Sequence, residues 1–400
     1  MIKKSKIWFV CIGEPVPFDN NFSSLHRCGQ LAYQFSLEGN DVSWFTSKFD
    51  HFSKSFLDVQ DHTQLSKNFE MFYLLANSYK KNISFSRFIN HYYLAKNFKK
   101  EIKSLSKPDI IYASFPSIEL AYEAVKFGKI NNIPVVVDFR DLWPDIFLTA
   151  FPKILRPFGM IALLPWYIQR RYIFKNAKSI VAISNGFLKF AHENSNKRNI
   201  DYDRVFHKSY ISNLHIAKSK SKIFKAIYFG AISRNKTNLK SVIEVFNNLG
   251  DQYELIICGE GDDLKYYKNI SSNNIIFKGF IQKPDMEKII SECSVGIVPL
   301  KSRVDFIKAI PNKAIEYLSY GIPILTSLSG DLQNFIDKNK VGLFYNNQSE
   351  LKNHILRLKS DQHLLDELSN NASKIFLNKF DFSKNFESIK NHFILLIDKN

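Results

Sequence analysis

Two rhythms of apolar and polar residues alternate along this 400-residue chain from end to end. Short apolar runs predict buried strands at 7–12, 41–46, 69–76, 109–113, 133–138 and 179–183 in the first half. Between them a 3.6-residue period predicts helices at 23–38, 85–104, 117–131, 163–175 and 185–193. The second half repeats the scheme. Its strands fall at 223–229, 253–258, 274–278, 294–299, 322–326 and 342–345, and its helices at 237–249, 283–292, 312–320, 348–358, 361–377 and 383–397. Strands alternating with helices predict parallel sheets with crossover helices, an α/β fold.

Four hundred residues fill two domains. The polar, lysine-rich stretch 194–222 marks their junction. The expected organisation is a doubly wound domain at 1–205, a linker at 206–221, a second such domain at 222–380, and a closing helix at 381–400 that packs back on the first. Two similar halves facing each other across a cleft is the plainest arrangement.

The net charge of +17 is uneven. Segment 51–100 holds 8 Lys and Arg against 3 acids, and 151–200 holds 9 against 1. An excess this local suits an anionic lipid surface, a phosphorylated acceptor or nucleic acid. No RNA- or DNA-binding module accompanies it, which disfavours nucleic acid. Aromatics, aliphatics and arginines mix over 151–175, broken by Pro157 and Pro165, as in an interfacial segment or a core helix with snorkelling Arg. No apolar run reaches 18 residues, and residues 1–12 read as a strand rather than a leader. The four cysteines show no metal-binding spacing and fit a reduced cytosolic compartment.

The chemistry concentrates at strand ends. Residues 308–325 place Pro311 in the first turn of a helix, with Asn312, Lys313 and Glu316 in the first two turns. A helix N-terminus beside a lysine is an anion site. A carboxylate one turn further in suits the paired hydroxyls of a ribose. Gly230 with Arg234 and Lys236, Gly259-Glu260-Gly261, Phe277-Lys-Gly-Phe280 and Val298-Pro299 are further strand exits on the same carboxyl side, where open α/β sheets bind ligands. In the first half, Asp138, Arg140, Asp141, Trp143 and Asp145 follow directly on a buried strand, a density typical of a tuned site or of a salt-bridged loop.

As a set, these residues resemble the retaining glycosyltransferases of family 4. The likeness is nearest to the bacterial surface-polysaccharide branch that includes fucosamine transferases. It extends to Arg27, Tyr79, Arg87 and His91, and covers nearly the whole chain. It implies the GT-B fold of two Rossmann-like domains. It further implies transfer of a sugar, with retention, from a nucleotide diphosphosugar, UDP favoured, to a polysaccharide or lipid-linked acceptor, without a metal or other cofactor. Glu316 would bind ribose, and Arg234, Lys236 and Lys313 would neutralise the diphosphate. Gly13, Gly259, Glu260, Phe280, Pro299 and Ile310–Asn312 would line the donor, while Arg140 and Asp141 would act in catalysis with Lys313 and Glu316. Asp138, Trp143 and Lys308 would lie toward acceptor or sugar. Lys308 stands where the family usually has a second glutamate, Arg140 where many members have histidine, and Gly13-Glu14-Pro15 where a glycine pair is usual. The cytoplasmic membrane face is the expected location. A sugar-nucleotide epimerase on the same architecture is the alternative reading, with a basic nucleic-acid-binding protein the least favoured.

Overall fold

The run Val135-Val-Val-Asp-Phe139 is buried at every position, as a central strand covered by helices on both faces must be. That pattern sets the architecture throughout. The computed structural model describes residues 4–17, 25–82, 84–195, 199–214 and 222–400. It divides into two units, Met1–Phe206 with Phe386–Asn400, and His207–Asn385. Residues 215–221 of the expected linker lie outside the described residues.

The first unit runs β1 (Lys6–Val10), α1 (Arg27–Leu37), β2 (Asp41–Ser47), β3 (His62–Ser66), β4 (Phe69–Leu74) and α2 (Phe85–Glu101). It continues with β5 (Ile110–Phe115), α3 (Ile118–Asn131), β6 (Val135–Phe139), α4 (Arg156–Ala162), α5 (Leu164–Asn176), β7 (Ser179–Ala182), α6 (Asn185–Glu193) and β8 (Arg204–Val205). Its strand order is β3-β4-β2-β1-β5-β6-β7-β8. Every pairing is parallel except β3 with β4.

The second unit runs β9 (Phe224–Phe229), α7 (Leu239–Asn247), β10 (Tyr253–Cys258), α8 (Leu264–Asn269), β11 (Ile275–Gly279), α9 (Lys283–Ser291) and β12 (Val295–Val298). Then come α10 (Val304–Ile307), α11 (Asn312–Ser319), β13 (Ile324–Thr326), α12 (Asp331–Asn339), β14 (Gly342–Phe344), α13 (Gln348–Ser360) and α14 (Gln362–Lys379). All its strands pair in parallel, in the order β11-β10-β9-β12-β13-β14. Apolar clusters cover both faces of this sheet. The last helix, α15 (Phe382–Asp398), belongs to the first unit from Phe386 on. There Phe393 stacks on Phe35 of α1 at 5.1 Å, and Lys390 pairs with Glu38 at 3.2 Å.

Every long apolar run became a strand within a few residues of its expected bounds. The elements absent from the sequence reading are the nine-residue α12 and the shorter β3, β8, α4, α8 and α10. Each is short, and β3 (His-Thr-Gln-Leu-Ser) is a polar edge strand without an apolar run. Pro311 stands one place earlier than expected, as the extended N-cap of α11.

Strand order locates the ligand-competent ends. It reverses at β1, between β2 and β5, and at β9, between β10 and β12. In open α/β sheets the crevice at such a switch point, outside the carboxyl ends of the strands, receives the ligand.

Candidate active site

At the β9 switch point the chain turns at Gly230 and meets the segment following β12. The Asn238 N–H donates to Pro299 carbonyl at 2.6 Å, and Lys301 N–H to Lys236 carbonyl at 3.0 Å. The two strand exits are thereby laced together. Above them α11 is fixed by Tyr317, wholly buried. Its hydroxyl donates to Ile227 carbonyl at 3.0 Å and accepts from Phe229 N–H at 3.3 Å. Tyr317 thereby sets the height of α11 over the sheet.

This staple delivers Lys313 to the Gly230 turn. The ammonium lies 4.1 Å from the centroid of the Tyr228 ring. Gly230 has φ +128°, and a methyl group there would stand 2.9 Å from Lys313 Nζ. Among the described residues no carboxylate is within ion-pair distance of Lys313. Burial pushes its pKa down to about 7, opposed by the field of Glu316 one turn on. The N–H groups of Asn312 and Lys313, at the start of α11, make no hydrogen bond among the described residues. A helix start and an under-compensated lysine thus converge, an arrangement that accepts a polyvalent anion. Glu316 is half-buried, and its charge raises the pKa values of Tyr210 and Tyr320 beyond what their burial does.

Other expected donor residues fare differently. Arg234 already has a counter-ion: its Nε is 2.5 Å from Asp263, and its guanidinium lies 4.6 Å from the Tyr266 centroid. A phosphate there would have to compete with Asp263. Lys236 and Glu260 are exposed, as is Phe280 just after β11, while Pro299 is buried. Ile310 is partly buried against the core, and Lys308 ends α10. Gly259 was expected to let a ligand approach backbone. Instead its φ of +139° is imposed by protein: a Cβ would stand 2.1 Å from Gly230 carbonyl oxygen.

In the first unit the structure corrects three expectations. Asp138 was placed toward the acceptor, but it is fully buried, 3.0 Å from Arg27 and 3.4 Å from Arg140. Arg140 is also held by Glu14, Ser114 and Cys11 Sγ. Burial disfavours its charge, but Glu14 and Asp138 reverse that and hold it protonated. Gly13, expected to line the donor, has φ +72° and precedes α1. The first amides of α1 are already taken, because Glu14 accepts from Cys28 N–H at 2.9 Å and Gly29 N–H at 3.3 Å. Glu14 thus supplies its own anion to that helix start. The third correction is Trp143, which is 5% exposed, with Arg87 4.5 Å over its ring and His91 stacked at 5.4 Å. Of this group Asp141 stays at the surface.

Cys11, Glu14 and Cys28 bring three potential metal-binding atoms within 4.8 Å of one another. Glu14 is committed to Arg140, and burial raises the Cys28 thiol well above its usual range. A neutral thiol next to a guanidinium is a poor host for a cation.

Residues 213–375 match the family described as "Glycosyl transferases group 1". The chain is 22% identical over 211 residues to alpha-monoglucosyldiacylglycerol synthase of Acholeplasma laidlawii, a match covering 49% of this chain and 51% of that protein. The match thus spans about half the length of this curated relative. Sucrose-phosphate synthase of Thermosynechococcus elongatus superposes with a TM-score of 0.74 at 15% identity, over 99% of this chain and 100% of that one. Anabaena Alr3699/HepE in complex with UDP-glucose gives 0.64 at 14% identity, over 97% and 98%. The lipopolysaccharide outer core galactosyltransferase WaaB gives 0.62 at 17% identity, over 97% and 99%. The architecture is therefore the GT-B fold expected from the sequence, and the match to glycosyl transferases group 1 falls within the second unit.

Proposed function

We propose that this protein is a retaining glycosyltransferase that moves a sugar from a nucleotide diphosphosugar, UDP-sugar favoured, to a polysaccharide or lipid-linked acceptor in bacterial surface-polysaccharide synthesis. The observation that carries the reading is Lys313. It is a largely buried ammonium with no carboxylate at ion-pair distance among the described residues, at the start of α11 and over the switch point of the second sheet. Departure of a nucleoside diphosphate is the demanding step in such a transfer. Fixed cations and N–H dipoles aimed at the leaving oxygens stabilise its developing charge. In this reading Lys313 and the α11 amides hold the diphosphate, Glu316 takes the ribose hydroxyls, and Asp141 orients the acceptor hydroxyl. Lysine charge takes the place of a metal ion.

A ligand that binds only the folded state raises its stability by RT ln(1 + [L]/Kd), about 2.7 kcal/mol at a hundredfold excess over Kd. UDP or a UDP-sugar at that excess is accordingly expected to raise the melting temperature by several degrees, with GDP and dTDP doing less. No shift with any nucleotide, with or without Mg²⁺, contradicts the proposal. Consumption of the UDP-sugar without acceptor would favour the epimerase instead.

Contact with an anionic membrane belongs to the same reading. α4 buries only Gly159, leaving Phe158 69% and Ile161 70% exposed, with Ile154 83% exposed just before it. Arg156 and Arg171 are exposed nearby. Of the two readings of segment 151–175, core helix or interfacial surface, these exposures favour the second. Among the described residues no helix is long and apolar enough to cross a membrane. Each exposed side chain of this size gains roughly 1.5–3 kcal/mol on full burial. Ile154→Glu with Phe158→Glu is therefore expected to abolish co-sedimentation with phosphatidylglycerol vesicles. Unchanged sedimentation would remove this surface from membrane binding.

A further inference from the structure

In the first unit two cations gather where no anion among the described residues pairs with either. Lys54 Nζ lies 4.7 Å, and the Arg87 guanidinium 5.6 Å, from the centroid of the same Tyr79 ring. Both also reach Asn82, Lys54 donating to its side-chain oxygen at 2.6 Å and Arg87 to its carbonyl at 3.0 Å. Arg87 depresses the basicity of Lys54, after burial has done the same. Among the described residues no carboxylate lies within ion-pair distance of either. Asp50, nearby, spends its oxygens on Phe52 N–H, Ser53 N–H and Ser53 hydroxyl, at 2.9, 3.2 and 2.7 Å. Asp141 and Glu119 attract Arg87 only through space. Arg87 Nε is buried and has no hydrogen-bond partner among the described residues. Lys54 itself holds φ +59°, a conformation unfavourable for a residue with a Cβ, which the surrounding loop must enforce.

The cluster adjoins a hollow. His51, whose Nδ1 is 2.6 Å from Tyr79 hydroxyl, also lines a cavity of about 130 Å³ with Gly13, Ser47 and Phe52. That cavity lies beyond the carboxyl ends of β1 and β2. On its other flank Arg87 covers Trp143, two residues from Asp141. Bringing two like charges to one ring without a counter-ion is unfavourable in the empty protein. An oxyanion placed between a guanidinium and an ammonium would reverse the sign of that interaction and take up the free Nε donor.

We propose that Lys54, Arg87 and Tyr79 form an anion subsite that grips a phosphate or carboxylate group of the acceptor, beside the hollow walled by His51. Only the word acceptor rests on the glycosyltransferase reading. Anion binding by the cluster stands without it.

The test uses the full chain and inorganic phosphate, glucuronate and UDP as separate titrants in low-salt calorimetry, comparing wild type with Lys54→Gln, Arg87→Gln and the double variant. Phosphate or glucuronate is expected to bind wild type, and each single variant to bind it at least about tenfold more weakly, as for loss of one charge-assisted contact. Arg87→Lys, which keeps charge but loses the fork, should fall between. Retained UDP binding in the variants shows that they are folded. Absence of UDP binding to every protein, wild type included, would count against the sugar-nucleotide reading while leaving the anion result standing. Vesicles of phosphatidylglycerol against phosphatidylcholine distinguish the source. Arg87-dependent binding to the former alone assigns a lipid-borne anion, and binding of the free anions assigns a soluble one. Equal binding of every anionic probe by wild type and the double variant, or by neither, overturns the proposal.

Discussion

Lys313→Ala is expected to lower sugar-transfer turnover about 10²–10³-fold, the usual loss when one preorganised donor to a developing oxyanion is removed. The same lysine gives the protein a pH signature. Its folded-state pKa of about 7 lies below the value near 10.4 of an unfolded chain, because burial disfavours the ammonium. Between those values the unfolded chain holds more protons, so the ligand-free protein gains stability as pH rises from about 7 towards 10. Nucleotide binding runs the other way. A diphosphate prefers the ammonium, so binding above pH 7 takes up a proton, and UDP affinity should fall by up to about tenfold per pH unit between 7 and 9. Calorimetry across that range should show the slope in wild type and a flat line in Lys313→Met. Parallel curves would mean that Lys313 does not meet the diphosphate.

Much of this site was readable in the chain because the parallel sheet writes itself plainly. Runs such as Val135–Phe139 and Leu255–Cys258 admit one reading, and a strand's carboxyl end follows from its direction. Hence Lys313, Glu316 and Gly230 could be placed at one sheet end from spacing alone. Partnership was not readable. Nothing local says that Asp263, 29 residues from Arg234, meets its charge, or that Glu14 caps α1 while pairing with Arg140, 126 residues away. Gly259 illustrates the same limit: a glycine that accommodates a neighbouring backbone looks identical in sequence to one that accommodates a ligand. Lys54 was visible only as surplus charge, and Arg87 only as surplus charge and as part of the family resemblance. Their convergence on Tyr79 requires the loop after β2 and the start of α2 to meet, which periodicity does not report.

The second large effect is on stability. Asp138→Asn is expected to destabilise the first unit by roughly 3–5 kcal/mol, the cost of removing one partner from a buried ion pair. Asp138 lies wholly inside the protein between Arg27 and Arg140. Arg27 has other contacts, donating to Phe206 carbonyl at 2.6 Å and Tyr112 hydroxyl at 3.3 Å, but none of these carries a negative charge. With asparagine at 138, buried Arg27 would keep no carboxylate partner among the described residues, and Arg140 would keep only Glu14. The loss should therefore appear as an earlier urea transition of this unit. Its fluorescence isolates that transition, because all four tryptophans, at 8, 44, 143 and 166, lie in the first unit. Arg27→Gln should cost a similar amount, and the double variant much less than the two together, since each change removes the same pairing. Additive losses would mean that the two charges act independently. A loss below about 1 kcal/mol for Asp138→Asn would place the pair among the weak contributions usual for exposed ions. If the large value is found, Arg140 owes its place at the end of β6 to a charge network beneath it, so the variant should also slow turnover by displacing the neighbouring Asp141.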